Sequence, residues 1–192
     1  MKMQREYRQT ARAAAVANTR RRVVEALFSL AQDRLFTEIP LKDVAAAAGV
    51  TVQTILRQFG SRAALFDATI AYGVERIRAE RAADPTKARS PLSVLMDHYE
   101  LRGRMVMMML AQETADPAIA RVVEGGRIEH RNWVSAHLAD ASTTDVTIDL
   151  LVVATDVYAW KLLRLDRGLT RRQTQIRMQA MVDRVLAGNE GT

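Results

Sequence analysis

Apolar residues recur at spacings of three and four along most of the chain, and no stretch alternates apolar and polar positions over β-branched residues between turn signals. The pattern predicts an all-α fold. A first helix is expected from Thr19 to Phe36, where Val24, Leu27, Phe28, Ala31 and Leu35 share one face and Asn18 or Thr19 stands at a capping position. Upstream, Met1 to Ala17 carries Arg5, Arg8 and Arg12 among polar and alanine residues, and the sequence does not decide between a flexible arm and a helical extension. A short helix is expected from Leu41 to Ala48 after Pro40, stopped by Gly49, and another from Thr51 to Phe59, ended by Gly60. Ser61 then caps a long helix from Arg62 to Arg81. Pro85 and Pro91 bracket a loop. Beyond it the periodicity predicts helices over Leu92–Thr114 (with a possible kink at Gly103), Pro117–Leu138 (weak at Gly125-Gly126), Thr143–Leu165 and Thr170–Leu186.

Two short helices joined by a glycine turn cannot bury their own apolar faces and must rest on the helix before them, which makes residues 40–59 a helix-turn-helix. Small Ala45 allows close approach, Gly49 supplies a positive φ, Val50 plugs the core and Thr51 caps the second helix. At about 100° per residue, Ile55 and Phe59 point inward while Gln53 and Arg57 point out, flanked by Thr54 and Leu56. Glutamine can pair with adenine and arginine with guanine, and valine or threonine methyl groups can meet the thymine methyl. Val52, Gln53, Thr54 and Arg57 are therefore the expected base readers. Lys42, Thr51, Ser61 and Arg62 complete the DNA-binding set, with Lys42, Ser61 and Arg62 suited to phosphates, helped by the amide groups at the start of the Arg62 helix.

Charge changes the picture once it is located. Residues 1–62 hold 11 Lys/Arg against 5 Asp/Glu, whereas residues 63–192 hold 17 of each, so the net charge of +6 lies in the first third. That division suggests a phosphate-binding head, residues 1–62, on a neutral body, residues 63–192. There is no cysteine, which excludes disulfides, thiolate zinc sites and cysteine nucleophiles and suits a reducing cytoplasm. The apolar runs are broken by charges short of membrane-spanning length, so the chain is expected to be soluble and cytoplasmic. No catalytic triplet, carboxylate pair or glycine-rich phosphate loop stands out, so neither enzyme activity nor a cofactor is expected. His130 and His137 could share a helix face, but His98 is the only other histidine and no metal site is expected.

The segments TRRRVVEALFSLA and DVAAAAGVTVQTILRQFGSRAALFDA, within residues 18–70, resemble the signature block of the TetR (tetracycline-repressor-like) family of transcriptional regulators. The chain departs from that pattern in having Leu56 and Gln58 where many members place tyrosines for phosphate contacts, and Pro40 where a capping Thr or Ser is common. DVYAWKLLRLDRGLTRRQTQ resembles the family's last helix pair, which implies a homodimer formed through the last two helices. The sequence agrees independently, since Ile148–Leu165 is apolar almost all round and Met178, Met181, Val182, Val185 and Leu186 give the final helix a stripe.

The resemblance further implies a repressor released from a palindromic operator by a small-molecule effector bound among the body helices. Met96, Tyr99, Met107, Met108, Trp133, His137, Asp156 and Trp160 are the candidate effector contacts, chosen as adaptable, aromatic or isolated polar groups. Asp156 is expected to sit inside an apolar helix and to need a basic partner there. Two other readings stay open: a constitutive helix-turn-helix DNA binder without ligand sensing, and an all-α ligand-binding protein with a basic head.

Overall fold

The computed structural model describes residues 2–81 and 90–189, which are helical with no strand among them. They form two compact units, Met1–Arg78 and Ala79–Thr192, each considered by itself.

The first unit begins with α1, Lys2–Leu30, a single helix of 29 residues. The stretch upstream of Thr19 is thus helical, and the helix ends before the expected Phe36. Asn18 and Thr19 do not cap it; Thr19 lies in mid-helix and its hydroxyl donates back to the Ala15 carbonyl. High helix propensity explains the continuation, since Ala11, Ala13, Ala14, Ala15 and Ala17 fill the stretch. A 3-10 turn at Phe36–Glu38 leads to α2, Leu41–Ala48, and α3, Val52–Phe59, and the unit takes in most of α4, Arg62–Arg81. The predicted boundary at 62/63 would have assigned α4 to the body, but most of its length packs with the head.

Val23, Leu27 and Phe28 of α1, Val44 and Ala45 of α2, Ile55 and Phe59 of α3 and Leu65 of α4 are all buried. Aromatic edges pack α1 and the 3-10 turn on α4, with Phe28 on Tyr72 and Phe36 on Phe66 at centroid distances of 5.5 and 4.7 Å.

In the second unit α5, Pro91–Leu110, starts at the cap Ser90, and α6, Pro117–Leu138, at the cap Asp116. The loop expected between Pro85 and Pro91 falls largely outside the described residues. α5 stops at Leu110 rather than Thr114, and Gly103 introduces no break; it lies inside α5 where Trp160 passes. Gly125 and Gly126 likewise leave α6 continuous.

The largest departure is the predicted helix Thr143–Leu165, which is three pieces. α7, Asp145–Thr155, ends at Asp156; α8, Val157–Trp160, follows; Lys161–Asp166 is a π-helical turn. The final helix α9, Arg171–Asn189, follows Gly168 at φ +67°. Leu92, Leu95, Met96 and Tyr99 of α5, Trp133 and Val134 of α6, Leu151 and Ala154 of α7, Val157 and Trp160 of α8, and Met178 and Val182 of α9 form one apolar core. Among the described residues no helix is long and apolar enough to cross a membrane.

Candidate nucleic-acid interface

The turn between α2 and α3 is built from backbone hydrogen bonds that only a left-handed residue permits. Gly49 adopts φ +63°, and its amide donates to Ala46 while the Val50 amide donates to Ala45 at 2.9 Å, closing α2 in a Schellman arrangement. Val50 is half-buried. Thr51 then opens α3: its hydroxyl accepts from the Thr54 amide at 3.1 Å and lies 2.9 Å from the Thr54 hydroxyl. Thr51 and Thr54 therefore have a structural duty at the end of α3 predicted to meet DNA.

Burial orients α3 as its periodicity predicts. Ile55 and Phe59 are 1% and 7% exposed, while Gln53, Leu56 and Arg57 are exposed and Val52 and Thr54 half-buried. Neither Gln53 nor Arg57 makes a hydrogen bond or ion pair among the described residues, so the fold does not consume their donors. Lys42 stands exposed in the first turn of α2. Ser61 caps α4 by accepting from the Ala64 amide at 3.1 Å. Arg62 donates to the carbonyls of Phe36 and Thr37 at 2.8 and 3.1 Å, tying α4 to the 3-10 turn.

Two arginines that sequence reasoning counted only as charge hold this module together. Arg22 donates to the Ala48 and Gly49 carbonyls at the C-terminal end of α2, where a cation offsets the helix dipole. Arg20 donates to the Gln58 carbonyl at 2.8 Å and lies over the Phe59 ring at 4.2 Å. Nothing in the local spacing marks these contacts, because they join positions 26 and 38 residues apart.

In the second unit the structure brings Met96, Tyr99, Trp133 and Trp160 into the one core, with Met107 packed against it. Met108 is half-buried and His137 exposed, its ring stacked on Trp133 at 5.1 Å. Buried His130 also stacks with Trp133, at 6.2 Å, and its Nε2 is 3.2 Å from the Thr155 hydroxyl. The Tyr99 hydroxyl donates to the Thr155 carbonyl at 2.8 Å.

Asp156 corrects the expectation placed on it. It is not a carboxylate inside a helix but the cap between α7 and α8, accepting from the Tyr158 amide at 2.8 Å. Burial pushes its pKa upward, opposed by that amide and by the positive charge of Arg127. The need for a partner was real; the backbone supplies it. Among the described residues no group of three or more side chains could hold a metal ion.

Residues 23–69 match the family described as bacterial regulatory proteins, tetR family. No curated protein sequence matches the chain. Among solved structures, it is similar to a transcriptional regulator from Rhodococcus sp. Rha1 at 20% identity and TM-score 0.65, over 88% of this chain and 96% of that one. A tetR-family transcriptional regulator from Streptomyces coelicolor aligns at 16% identity and TM-score 0.64, over 88% of each chain. A TetR transcriptional regulator from Rhodococcus sp. RHA1 aligns at 20% identity and TM-score 0.55, over 88% of this chain and 97% of that one. At these identities the likeness bears on the fold, while the family match bears on the head. Residues 23–69 of the head thus match the tetR family of bacterial regulatory proteins, and the chain shares its fold with solved regulators of that type.

Proposed function

We propose that the chain is a repressor that binds a palindromic operator as a homodimer and releases it when a small molecule enters the body. The observation that carries the DNA-reading part is the exposed face of α3, where Gln53 and Arg57 stand opposite buried Ile55 and Phe59. Val52 and Thr54 flank them as methyl contacts, while Lys42, Ser61 and the amides at the start of α4 face phosphates. In a mobility shift on the DNA flanking its own coding sequence, Gln53→Ala and Arg57→Ala should each cost about 1–3 kcal/mol on the preferred site and relax its selectivity. Equal weakening on every duplex would make them phosphate contacts instead.

The dimer reading rests on apolar side chains left in water. Val146, Leu150 and Val153 of α7 are exposed at spacings of four and three, and Leu162 of the π-helical turn and Ile176 of α9 are exposed as well. A groove of about 540 Å³ runs between α7 and α9, lined by Val146, Leu150, Arg184, Val185 and Gly188. Stripes of this kind on two neighbouring helices suit a second copy meeting the first about a two-fold axis. Leu150→Glu places a charge on the stripe and should weaken self-association about a hundredfold, near 2.7 kcal/mol. Sedimentation would read the change as a halved mass; an unchanged mass at micromolar concentration would move the interface elsewhere.

For the effector, the core around Tyr99, Trp133 and Trp160 favours an apolar molecule with aromatic character, since Met96 and Met107 can rearrange around it at little cost. His137 and Asp156 stand at the margin of that core and would contact only polar extensions.

A further inference from the structure

The family-matched module is not where the positive charge lies. Residues 23–69 hold four Lys/Arg against five Asp/Glu, whereas residues 1–22 hold seven Lys/Arg and one acid. From residue 23 to the end the chain carries 21 of each sign, so the whole excess of +6 precedes the module. Of those seven cations, Arg20 and Arg22 bind the ends of α3 and α2, and Arg21 pairs with Glu25 at 3.6 Å. The other four are Lys2, Arg5, Arg8 and Arg12.

All four belong to α1, and their spacings of three and four place these positions along one side of a helix. Residues 10–18 are exposed throughout, so this part of α1 is not held by packing. Cations near a helix N-terminus also oppose its dipole, typically at about 0.3–1 kcal/mol each at low ionic strength. Lys2 and Arg5 therefore do not serve the helix dipole, and a row of like charge leading into an exposed stretch of helix points to an anionic partner outside the chain. From residue 2 to residue 22 the helix runs about 30 Å, nearly one turn of duplex DNA. It leaves the head where Arg20 grips the C-terminal end of α3.

We propose that the N-terminal part of α1, residues 2–16, is a second DNA-binding element that lies along duplex phosphates beside the site read by α3. The inference rests on the DNA-reading head proposed above and adds to it the source of affinity. Phosphate contacts carry no sequence information directly, so the arm strengthens binding to all duplexes alike while α3 selects among them.

The test compares the full chain with a full-length variant carrying Lys2→Gln, Arg5→Gln, Arg8→Gln and Arg12→Gln, which keeps helix propensity nearly unchanged. Equilibrium binding is measured across salt on the duplex flanking its own coding sequence and on a mixed-sequence duplex. The dependence of log affinity on log salt should become shallower by about 0.9 for each phosphate that the variant no longer neutralises, up to about 3.6 per arm. Affinity should fall by the same factor on both duplexes, leaving their ratio unchanged, with the helical signal and melting temperature of the free protein preserved. Coincident salt slopes for the two proteins would overturn the assignment, as would a loss confined to the preferred duplex. It would also fall if the four changes abolished binding to anionic phospholipid vesicles while leaving duplex binding intact. If the wild-type chain preferred no duplex, the operator reading would fail, yet the slopes on mixed-sequence DNA would still decide the arm.

Discussion

Trp160→Ala should cost the body about 3–5 kcal/mol, the largest loss expected from a single apolar substitution in this chain. Trp160 is 2% exposed, sits 5.9 Å from the Tyr99 ring and donates from Nε1 to Glu100 at 3.3 Å. Its six-membered ring lies so close to α5 that a Cβ added at Gly103 would stand 2.5 Å from Cζ3 and 2.6 Å from Cη2. Two opposing effects meet at Gly103→Ala. Alanine gains roughly 0.5–1 kcal/mol of helix propensity over glycine, while forcing the indole aside costs about 1–3 kcal/mol. The clash involves the rigid end of a buried ring, so the loss wins. In the Trp160→Ala background the sign should reverse, because the obstructing ring is gone. Urea unfolding followed by the remaining Trp133, also in the body, measures both effects. A cost below about 1 kcal/mol for Trp160→Ala would mean that the core closes over the missing ring and that the indole is no principal support of the body.

Glu80→Ala should destabilise the chain by about 3 kcal/mol, the lower end of the range for breaking a buried ion pair. Arg102 is 5% exposed and holds Glu80 with two hydrogen bonds, Nε to Oε2 at 3.2 Å and Nη2 to Oε1 at 2.7 Å. Removing the carboxylate takes two hydrogen-bond acceptors and a countercharge from a buried guanidinium, which then keeps its desolvation cost with less to offset it. The Glu80 side chain retains about a fifth of its exposure, which limits the effect. Replacing both, as Glu80→Leu with Arg102→Met, should recover most of the loss, since a hydrophobic pair of similar volume avoids desolvation altogether. The cycle is read by chemical unfolding of the four proteins. Additive losses in the double variant would show that the two side chains act separately.

What was legible in the sequence is what local spacing decides. Gly49, Thr51, Ile55 and Phe59 sit within eleven residues, and each role follows from φ, capping or a helical period, so the outward face bearing Gln53 and Arg57 could be read directly. Ser61 as the cap of α4 was legible for the same reason. What local spacing could not reveal has one physical origin, contact between distant positions. Arg62, expected at phosphates from its place at a helix start, also reaches carbonyls 25 and 26 residues earlier through its guanidinium. Asp156 was read inside a helix because periodicity runs through it unbroken, whereas the break is made by partners from α5 and α6. Arg102 gave no signal, as one of two arginines before a methionine-rich run looks like any solvated position. The effector contacts had the weakest basis: methionine and aromatic residues mark a core and a ligand site alike, and four of the eight candidates are members of one packed cluster.

The interruption at Asp156 also bears on cooperativity. Thr155 stands at the end of α7 with its carbonyl taken by Tyr99 of α5 and its hydroxyl in contact with His130 of α6, while Asp156 holds the Tyr158 amide of α8. Pulling α5 or α6 from α7 would strand a buried polar group, at about 1–3 kcal/mol for each missing partner. The place where the body's longest apolar stretch is cut is thus the place where α5 and α6 are tied to α7, so these three helices are expected to open together.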